Sequence, residues 1–239
     1  PDFIPLTAAQ TAALSAEFPA LSPNTTYYAR ASAVNNIGAL SAYLAFPAGA
    51  TSPNAPGNYG SPVANLAGDG FQLRWTASGN PAGTRYAAQY STAANFTGSG
   101  DGLSVVTSTY SDLTGLTGNA TYYARVYVAG HNGVSSGFNT AVSTRTFPRP
   151  PAAASFGAIT SSGAAVNWTA GPNVAAGLSY LAQTSLTDVF TEIAASSFTA
   201  GVSASFGLGG EGAALVPNTT YYFRVRASGY SGAGLFGGL

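Results

Sequence analysis

The chain has 239 residues, which is enough for two or three domains of ordinary size. Its eight basic residues, all arginine, balance eight acidic residues, so no net charge steers a nucleic acid or an anionic membrane surface to it. The chain has no cysteine, which excludes disulfides, thiol catalysis and cysteine-ligated metal.

Charged residues make up only 7% of the chain, against roughly 25% in typical domains. Mixed surface charge usually keeps a monomer dispersed, so something else must keep this chain soluble. Three explanations are open: covering by glycans, burial of the surface in a permanent assembly, or solvation by the plentiful Ser, Thr, Asn and Gln. No apolar run approaches the ~18–20 residues that cross a bilayer, and no signal peptide follows Pro1. We therefore expect no membrane-spanning segment. We also expect the chain to be a processed or excerpted piece of a longer protein.

A ten-residue phrase, Leu-x-x-Asn-x-Thr-Tyr-Tyr-x-Arg, occurs three times, at residues 21–30, 116–125 and 215–224. Successive copies start 95 and 99 residues apart. Trp75 and Trp168 keep nearly the same step, at 93 residues. Solenoid and propeller repeats run to roughly 20–50 residues, so the longer period here predicts an array of whole small domains.

Between these landmarks the pattern predicts strands and turns. Residues 71–75 and 122–128 alternate residue by residue, which is the period of a half-buried strand. Gly, Pro, Asn and Ser cluster between such runs, as they do in turns. No sustained helical period is present, so the predicted fold class is all-β.

These residues resemble the fibronectin type III family. That family carries a tryptophan in strand B, an aromatic residue in strand C, and Leu-x-Pro-x-Thr-x-Tyr leading into strand F. Trp75 and Trp168 match the first position, and Tyr86 and Tyr180 match the second. The three phrases match the third, so the resemblance covers nearly all of the chain.

The resemblance implies tandem immunoglobulin-like antiparallel β-sandwiches. In each, the leucine of the phrase fills the bottom of the core, and the first tyrosine makes a corner hydrogen bond that fixes the crossing from strand E to strand F. The middle phrase departs from the family pattern at Gly118 and Ala120. The core and tyrosine-corner residues implied in this way are Trp75, Trp168, Leu21, Tyr27, Leu116, Tyr122, Leu215 and Tyr221.

The repeat divides the chain into three units. Residues 1–53 correspond to the C-terminal half of a sandwich, roughly strands C′, E, F and G. Residues 54–147 correspond to one complete domain. Residues 148–239 correspond to a domain that lacks a clear last strand, because the Gly-rich end shows no strand pattern. The terminal sandwiches are therefore predicted to be incomplete.

Incomplete sandwiches expose unpaired strand edges, which natural proteins cover by pairing or by charge, and charge is scarce here. The expected partners are neighbouring repeats of a longer chain, or strands added by self-association with another subunit. The proline-containing linkers at residues 51–56 and 147–151 leave few free torsions. Consecutive domains are therefore expected to form a semi-rigid rod.

Three short patterns are similar to known functional motifs, but the sequence lacks the surrounding structure or the further ligands that each motif needs. Residues 133–137 fit the nucleophile-elbow pattern around Ser135, near the only histidine, His131, but an elbow needs a strand, a turn and a helix. Residues 207–212 match a dinucleotide-binding glycine pattern, but no helix pattern follows. Isolated acids such as Asp101 supply too few oxygens for Ca²⁺. We predict no catalytic residue, cofactor or metal site.

Five Asn-x-Ser/Thr sequons are present, and three of them occupy the same position of the phrase. Asparagine before strand F is also a favoured turn residue, so these sequons have a structural explanation as well. Asn167, next to Trp168, has the poorest access for a glycan. The predicted acceptors for N-linked glycans are Asn24, Asn119, Asn218 and Asn95.

The resemblance implies a secreted or cell-surface protein, and because no motif lies in a catalytic setting we predict that it is not an enzyme. Low charge, incomplete terminal sandwiches and short proline linkers indicate a structural subunit or segment of a surface filament, appendage or layer. The alternative is a spacer, adhesion or carbohydrate-contacting accessory region of a larger secreted enzyme or adhesin. Glycans are a candidate partner, nucleic acid is not an expected one, and direct catalysis is the weakest reading.

Overall fold

The computed structural model describes residues 7–98, 101–208, 214–229 and 232–238. These described residues contain eighteen β-strands and no helix. Every pairing between the strands is antiparallel. The predicted all-β class is confirmed.

The first unit is a two-stranded ribbon. Each side of the ribbon is divided into two short strands. One side contains β1 (Thr26–Tyr27) and β2 (Arg30–Ala31), and the other contains β3 (Leu44–Ala45) and β4 (Gly49–Ala50). β1 pairs with β4 and β2 with β3, so by repeat alignment the ribbon supplies strands F and G. Residues 7–25 contain no strand, so the expected strands C′ and E are wrong for the described part of this unit. Within residues 7–50 Asn24 alone is buried, so the ribbon has no core of its own.

The second unit, residues 54–147, is a complete sandwich that we call the middle domain. Its strands are β5 (Gly57–Ala64), β6 (Gly70–Thr76), β7 (Arg85–Ser91), β8 (Gly102–Val106), β9 (Tyr110–Thr114), β10 (Thr121–Ala129) and β11 (Val142–Arg145). One sheet has the order β5-β6-β9, and the other has the order β11-β10-β7-β8. The three-stranded sheet packs on the four-stranded one.

Alternation along the strands builds the core of the middle domain. In β6, Phe71, Leu73 and Trp75 are buried, and the residues between them are only half-buried. In β10, every second residue from Tyr122 to Val128 is buried in the same way. Because successive side chains of a strand point to opposite faces, the period that predicted these strands also selects their core face.

The third unit, residues 148–239, is a second sandwich that we call the last domain. Its strands are β12 (Ala152–Ile159), β13 (Ala164–Thr169), β14 (Ser179–Ser185), β15 (Ala195–Thr199), β16 (Ser203–Phe206), β17 (Tyr222–Gly229) and β18 (Gly232–Gly238). The sheet orders are β12-β13-β16 and β15-β14-β17-β18, which repeat those of the middle domain. β18 pairs with β17 in the position of strand G. The prediction that this domain lacks a clear last strand is therefore wrong.

Each complete domain has one tryptophan in its core. The ring centroids of Trp75 and Tyr86 are 5.5 Å apart, and so are those of Trp168 and Tyr180. All four side chains are buried. Among the described residues neither indole N–H has a hydrogen-bond partner, so the tryptophans stabilise the domains by packing alone.

Burial raises the pKa of Tyr86 and of Tyr180 above the ordinary tyrosine value. A group whose pKa is raised by folding stabilises the fold at low pH, and this contribution is lost as the pH rises through the folded pKa. We therefore expect the free energy of unfolding to fall above about pH 10. Urea unfolding on either side of that pH measures the loss, which should shrink in the double variant Tyr86→Phe, Tyr180→Phe. An equal loss in the double variant would contradict this explanation.

Candidate functional site

The three phrases form the same tyrosine corner, ahead of β1, β10 and β17. In each corner the first tyrosine's hydroxyl accepts a hydrogen bond from the backbone N–H five residues earlier. The bonds run from Ser22 N to Tyr27 Oη (2.9 Å), from Thr117 N to Tyr122 Oη (3.0 Å) and from Val216 N to Tyr221 Oη (3.0 Å). The leucine of the phrase is buried at Leu116 and half-buried at Leu21 and Leu215. The hydrogen bond that the resemblance implied is thus present in every copy.

The asparagine of each phrase adopts a left-handed backbone conformation. Its φ is 48° at Asn24, 52° at Asn119 and 53° at Asn218. Asparagine tolerates this region better than most residues, which explains why one residue type recurs there. Asn24 and Asn119 are 0% exposed, and each is buried against the unit that follows it. The first two corners therefore form the junctions between units.

Asn24 joins the ribbon to the middle domain. Its Nδ2 donates to Thr84 Oγ1 at 3.1 Å, and its Oδ1 accepts from His131 N at 2.9 Å. Thr84 lies on the loop between β6 and β7, the B–C loop, and His131 lies on the loop between β10 and β11, the F–G loop. Both ends of a buried amide are thus satisfied, and each such bond contributes about 0.5–1.5 kcal/mol.

Asn119 joins the middle domain to the last domain. Its Nδ2 donates to Val174 O at 2.9 Å and to Ala176 O at 3.1 Å, both on the B–C loop between β13 and β14. Its Oδ1 accepts from Arg145 Nε at 3.2 Å, within the middle domain. A Cβ on Gly229, at the F–G end of β17, would collide with that Oδ1. The second junction thus places the corner asparagine against the same two loop regions as the first.

Gly118 explains why the middle phrase departs from the family pattern. Gly118 N donates to Pro172 O at 3.0 Å, and Val174 N donates to Gly118 O at 3.0 Å. These bonds form a parallel bridge between Gly118 and Asn173. A Cβ on Gly118 would collide with Asn173 Oδ1 and lie 3.1 Å from Arg149 N. Backbone contact with the last domain therefore requires glycine here.

A second asparagine, which was not predicted from the sequence, fixes each linker. Asn54 N donates to Asn80 Oδ1 at 3.0 Å, while Asn80 Nδ2 donates back to Asn54 O at 2.9 Å. Asn173 makes the same pair of bonds with the backbone of Arg149, at 2.7 and 3.0 Å. Asn80 and Asn173 are 93 residues apart, the same step as the two tryptophans. That shared spacing was the available signal.

The buried asparagines correct two of the four predicted glycan acceptors. A glycan is bulky and is attached at Nδ2, which donates to buried partners in Asn24 and Asn119. The prediction at these two positions is therefore wrong for the folded chain. Asn95 and Asn218 are exposed, and glycosylation at either remains a prediction.

The arginine that ends each phrase lies over an aromatic ring. Arg125 is enclosed by two rings, with Cζ 3.9 Å from the centroid of Phe96 and 3.7 Å from that of Phe138. The two sister contacts are Arg30 over Tyr43 (3.9 Å) and Arg224 over Phe190 (4.4 Å). Such cation–π pairs stabilise aromatic side chains that are exposed, as in Tyr43 and Phe138, or half-buried, as in Phe96 and Phe190. Three of the eight arginines therefore have a structural role.

The remaining motifs are not brought together into a site. Ser135 and His131 are exposed on the F–G loop of the middle domain, where no helix follows. The glycine motif at residues 207–212 falls mostly outside the described residues, as do residues 99–100 beside Asp101. Within the described ranges no group of three or more His, Cys, Asp or Glu side chains could hold a metal ion. The same ranges contain no helix that could span a membrane.

The chain is similar in structure to a two fibronectin type-III domain segment from chicken tenascin. The two share 19% sequence identity with a TM-score of 0.46, over 78% of this chain and 99% of that chain. No family model matches the chain, and no curated protein matches it. The tandem-sandwich fold rests on the strand orders, the two cores and the three tyrosine corners described above.

Proposed function

We propose that the chain is a structural segment of an extracellular filament, appendage or surface layer, without catalytic activity. The observation that carries the proposal is the burial of Asn24 and Asn119, each of which bonds through Nδ2 to the following domain. The linkers add to this restraint, because the side chains of Asn80 and Asn173 hydrogen-bond to the linker backbone at Asn54 and Arg149. Domains held in this way keep a fixed spacing, which suits a scaffold.

Self-association or neighbouring repeats complete the ribbon in this proposal. An isolated two-stranded hairpin is marginally stable in water. The ribbon also exposes large apolar side chains, with Tyr28 70%, Ile37 87% and Leu44 65% exposed. In the middle domain the equivalent strands, β10 and β11, belong to a sheet packed on a second sheet. Apolar surface of this kind marks a protein–protein contact.

Electron microscopy of the native material tests the proposal directly. We expect filaments, appendages or an ordered layer in which sandwich domains repeat at constant spacing. Native material consisting only of separate, monodisperse monomers would contradict it.

The same hydrogen-bonded linkers favour a second candidate function, that of a spacer or adhesion region in a larger secreted enzyme or adhesin. A spacer needs fixed geometry between domains but no self-association, and glycans would be its candidate partners. The mass and sequence of the intact native polypeptide distinguish the two: a catalytic or binding domain on the same polypeptide would support the spacer, and further sandwich repeats alone would support the scaffold.

A further inference from the structure

We propose that the exposed corner at Asn218 is a docking surface for the B–C and F–G loops of a further sandwich domain of the same type. This inference rests on the proposed function, because it specifies how repeats are joined end to end. It concerns a different surface from the apolar face of the ribbon.

The corner at Asn218 has the geometry of the two corners that already bind a domain. Its φ of 53° matches the 48° and 52° of Asn24 and Asn119. Thr219 Oγ1 donates to Pro217 O at 3.1 Å. In the first corner Thr25 Oγ1 donates in the same way to Pro23 O at 2.8 Å. Tyr221 makes the same corner hydrogen bond as its counterparts. The surface is therefore formed in advance of any partner.

What differs at Asn218 is its surroundings. Asn24 and Asn119 are 0% exposed, and each donates from Nδ2 to the B–C loop of the next domain. Asn218 is exposed, and no side-chain hydrogen bond of it is found among the described residues. Val216 beside it is 62% exposed. A corner that is buried twice in the chain is thus presented to solvent the third time.

The chemistry of the partner follows from the two filled corners. An asparagine amide needs an acceptor for its Nδ2 and a donor for its Oδ1. In the filled corners the B–C loop provides the acceptor, as the hydroxyl of Thr84 or the carbonyls of Val174 and Ala176. The F–G loop provides a donor in the first corner, the N–H of His131, and in the second corner Gly229 at the end of β17 makes a close contact.

A second copy of this chain does not fit as the partner. Asn24 already occupies the B–C and F–G loops of its middle domain, and Asn119 already occupies the B–C loop of its last domain beside the end of β17. In the described residues of its first unit the ribbon supplies strands F and G only, and therefore no B–C loop. The occupant is thus an additional complete sandwich domain with both loops free.

The experiment extends the chain in register with its own repeat. The added domain is a copy of the middle domain, because Pro217 matches Pro23 of the corner that binds the middle domain, whereas the last domain binds against Gly118. Asn35 and Gly229 are equivalent positions of the repeat, so joining residues 1–229 to residues 36–147 places strand G, the linker and a further copy of the middle domain after Asn218. The chain has no cysteine, so spin labels can be placed uniquely at Ser196 of the last domain and at Thr114 of the added middle domain, both of which are exposed. Double electron–electron resonance then measures the distance between these two domains.

We expect a single narrow distance in the extended chain and its loss in the extended Asn218→Ala variant. The matched control, Asn95→Ala, removes another exposed sequon asparagine and should keep the narrow distance. Alanine is strained at the φ of 53°, so Asn218→Gly, which accepts this φ, is made alongside it. In the original chain Asn218→Gly should leave the thermal unfolding of the last domain unchanged, and in the extended chain it should lose the narrow distance, which separates docking from folding.

Three results would overturn the inference: equal distance distributions in the Asn218→Ala and Asn95→Ala extended chains, dimers of the original chain that Asn218→Ala dissociates, or a glycan on Asn218 of the native protein. Monomeric native material in the electron microscope would refute the filament while leaving a docked Asn218 corner intact, so the two failures are distinguishable.

Discussion

Replacing Trp75 with alanine is expected to destabilise the middle domain by about 3–5 kcal/mol, the usual cost of removing a large aromatic side chain from a core. Trp75 is only 1% exposed, and its ring packs against that of Tyr86. The indole N–H has no partner within the described residues, so the loss consists of packing and a cavity. Domains are typically stable by only about 5–15 kcal/mol, so much of the stability of this one would be lost.

Urea unfolding separates the two domains in this variant. The chain has two tryptophans, so in Trp75→Ala the fluorescence of Trp168 reports the last domain alone, while circular dichroism reports all strands. We expect a new early transition in circular dichroism, before the transition of Trp168. The matched control is Tyr110→Ala, which removes an exposed aromatic side chain of the same domain. A Trp75→Ala curve no more shifted than that of the control would contradict the assigned core.

Replacing Gly118 with proline is expected to separate the last domain from the middle domain without unfolding either. Proline removes the N–H that Gly118 donates to Pro172 O, and its ring would collide with Asn173. The corner itself accepts proline, because Pro23 and Pro217 occupy this position in the other phrases. The junction would lose one or two hydrogen bonds, each contributing about 0.5–1.5 kcal/mol, in addition to the collision.

The readout is a distance distribution between spin labels on Thr114 and Ser196, one exposed site in each domain. Gly118→Pro should broaden this distribution while both domains keep their unfolding transitions. Gly137→Ala is the matched control, because a Cβ at Gly137 meets no atom within 4 Å. A narrow distribution in Gly118→Pro would show that the bridge to Asn173 does not hold the junction.

Local pattern predicted most of the fold, because alternation, turn residues and the tyrosine phrase all act over short stretches of chain. β6 and β10 were predicted in this way, and their buried faces follow from the same period. β18 was missed because its sequence is mostly glycine, which has no side chain to show alternation. Strands C′ and E were wrongly expected in the first unit because the resemblance was extended beyond the residues that carry it.

The junctions could be predicted only in part, because their partners are distant in sequence. The sequon at Asn119 is a local pattern, whereas its acceptors at Val174 and Ala176 lie 55 and 57 residues away. The departure at Gly118 was visible, but its reason, the contact with Asn173, was not. Single-sequence reasoning detects that a position is unusual, and only the packed structure shows what that position touches.

We expect the buried asparagines to hold consecutive units in a fixed arrangement. The most direct test is the distance distribution between Thr114 and Ser196 labels in the otherwise unchanged chain, compared with the same chain carrying Asn119→Ala. We predict one narrow distance in the first and a clearly broader distribution in the second, because Asn119 bonds to the last domain through a fully buried amide. A broad distribution in the unchanged chain would contradict the claim.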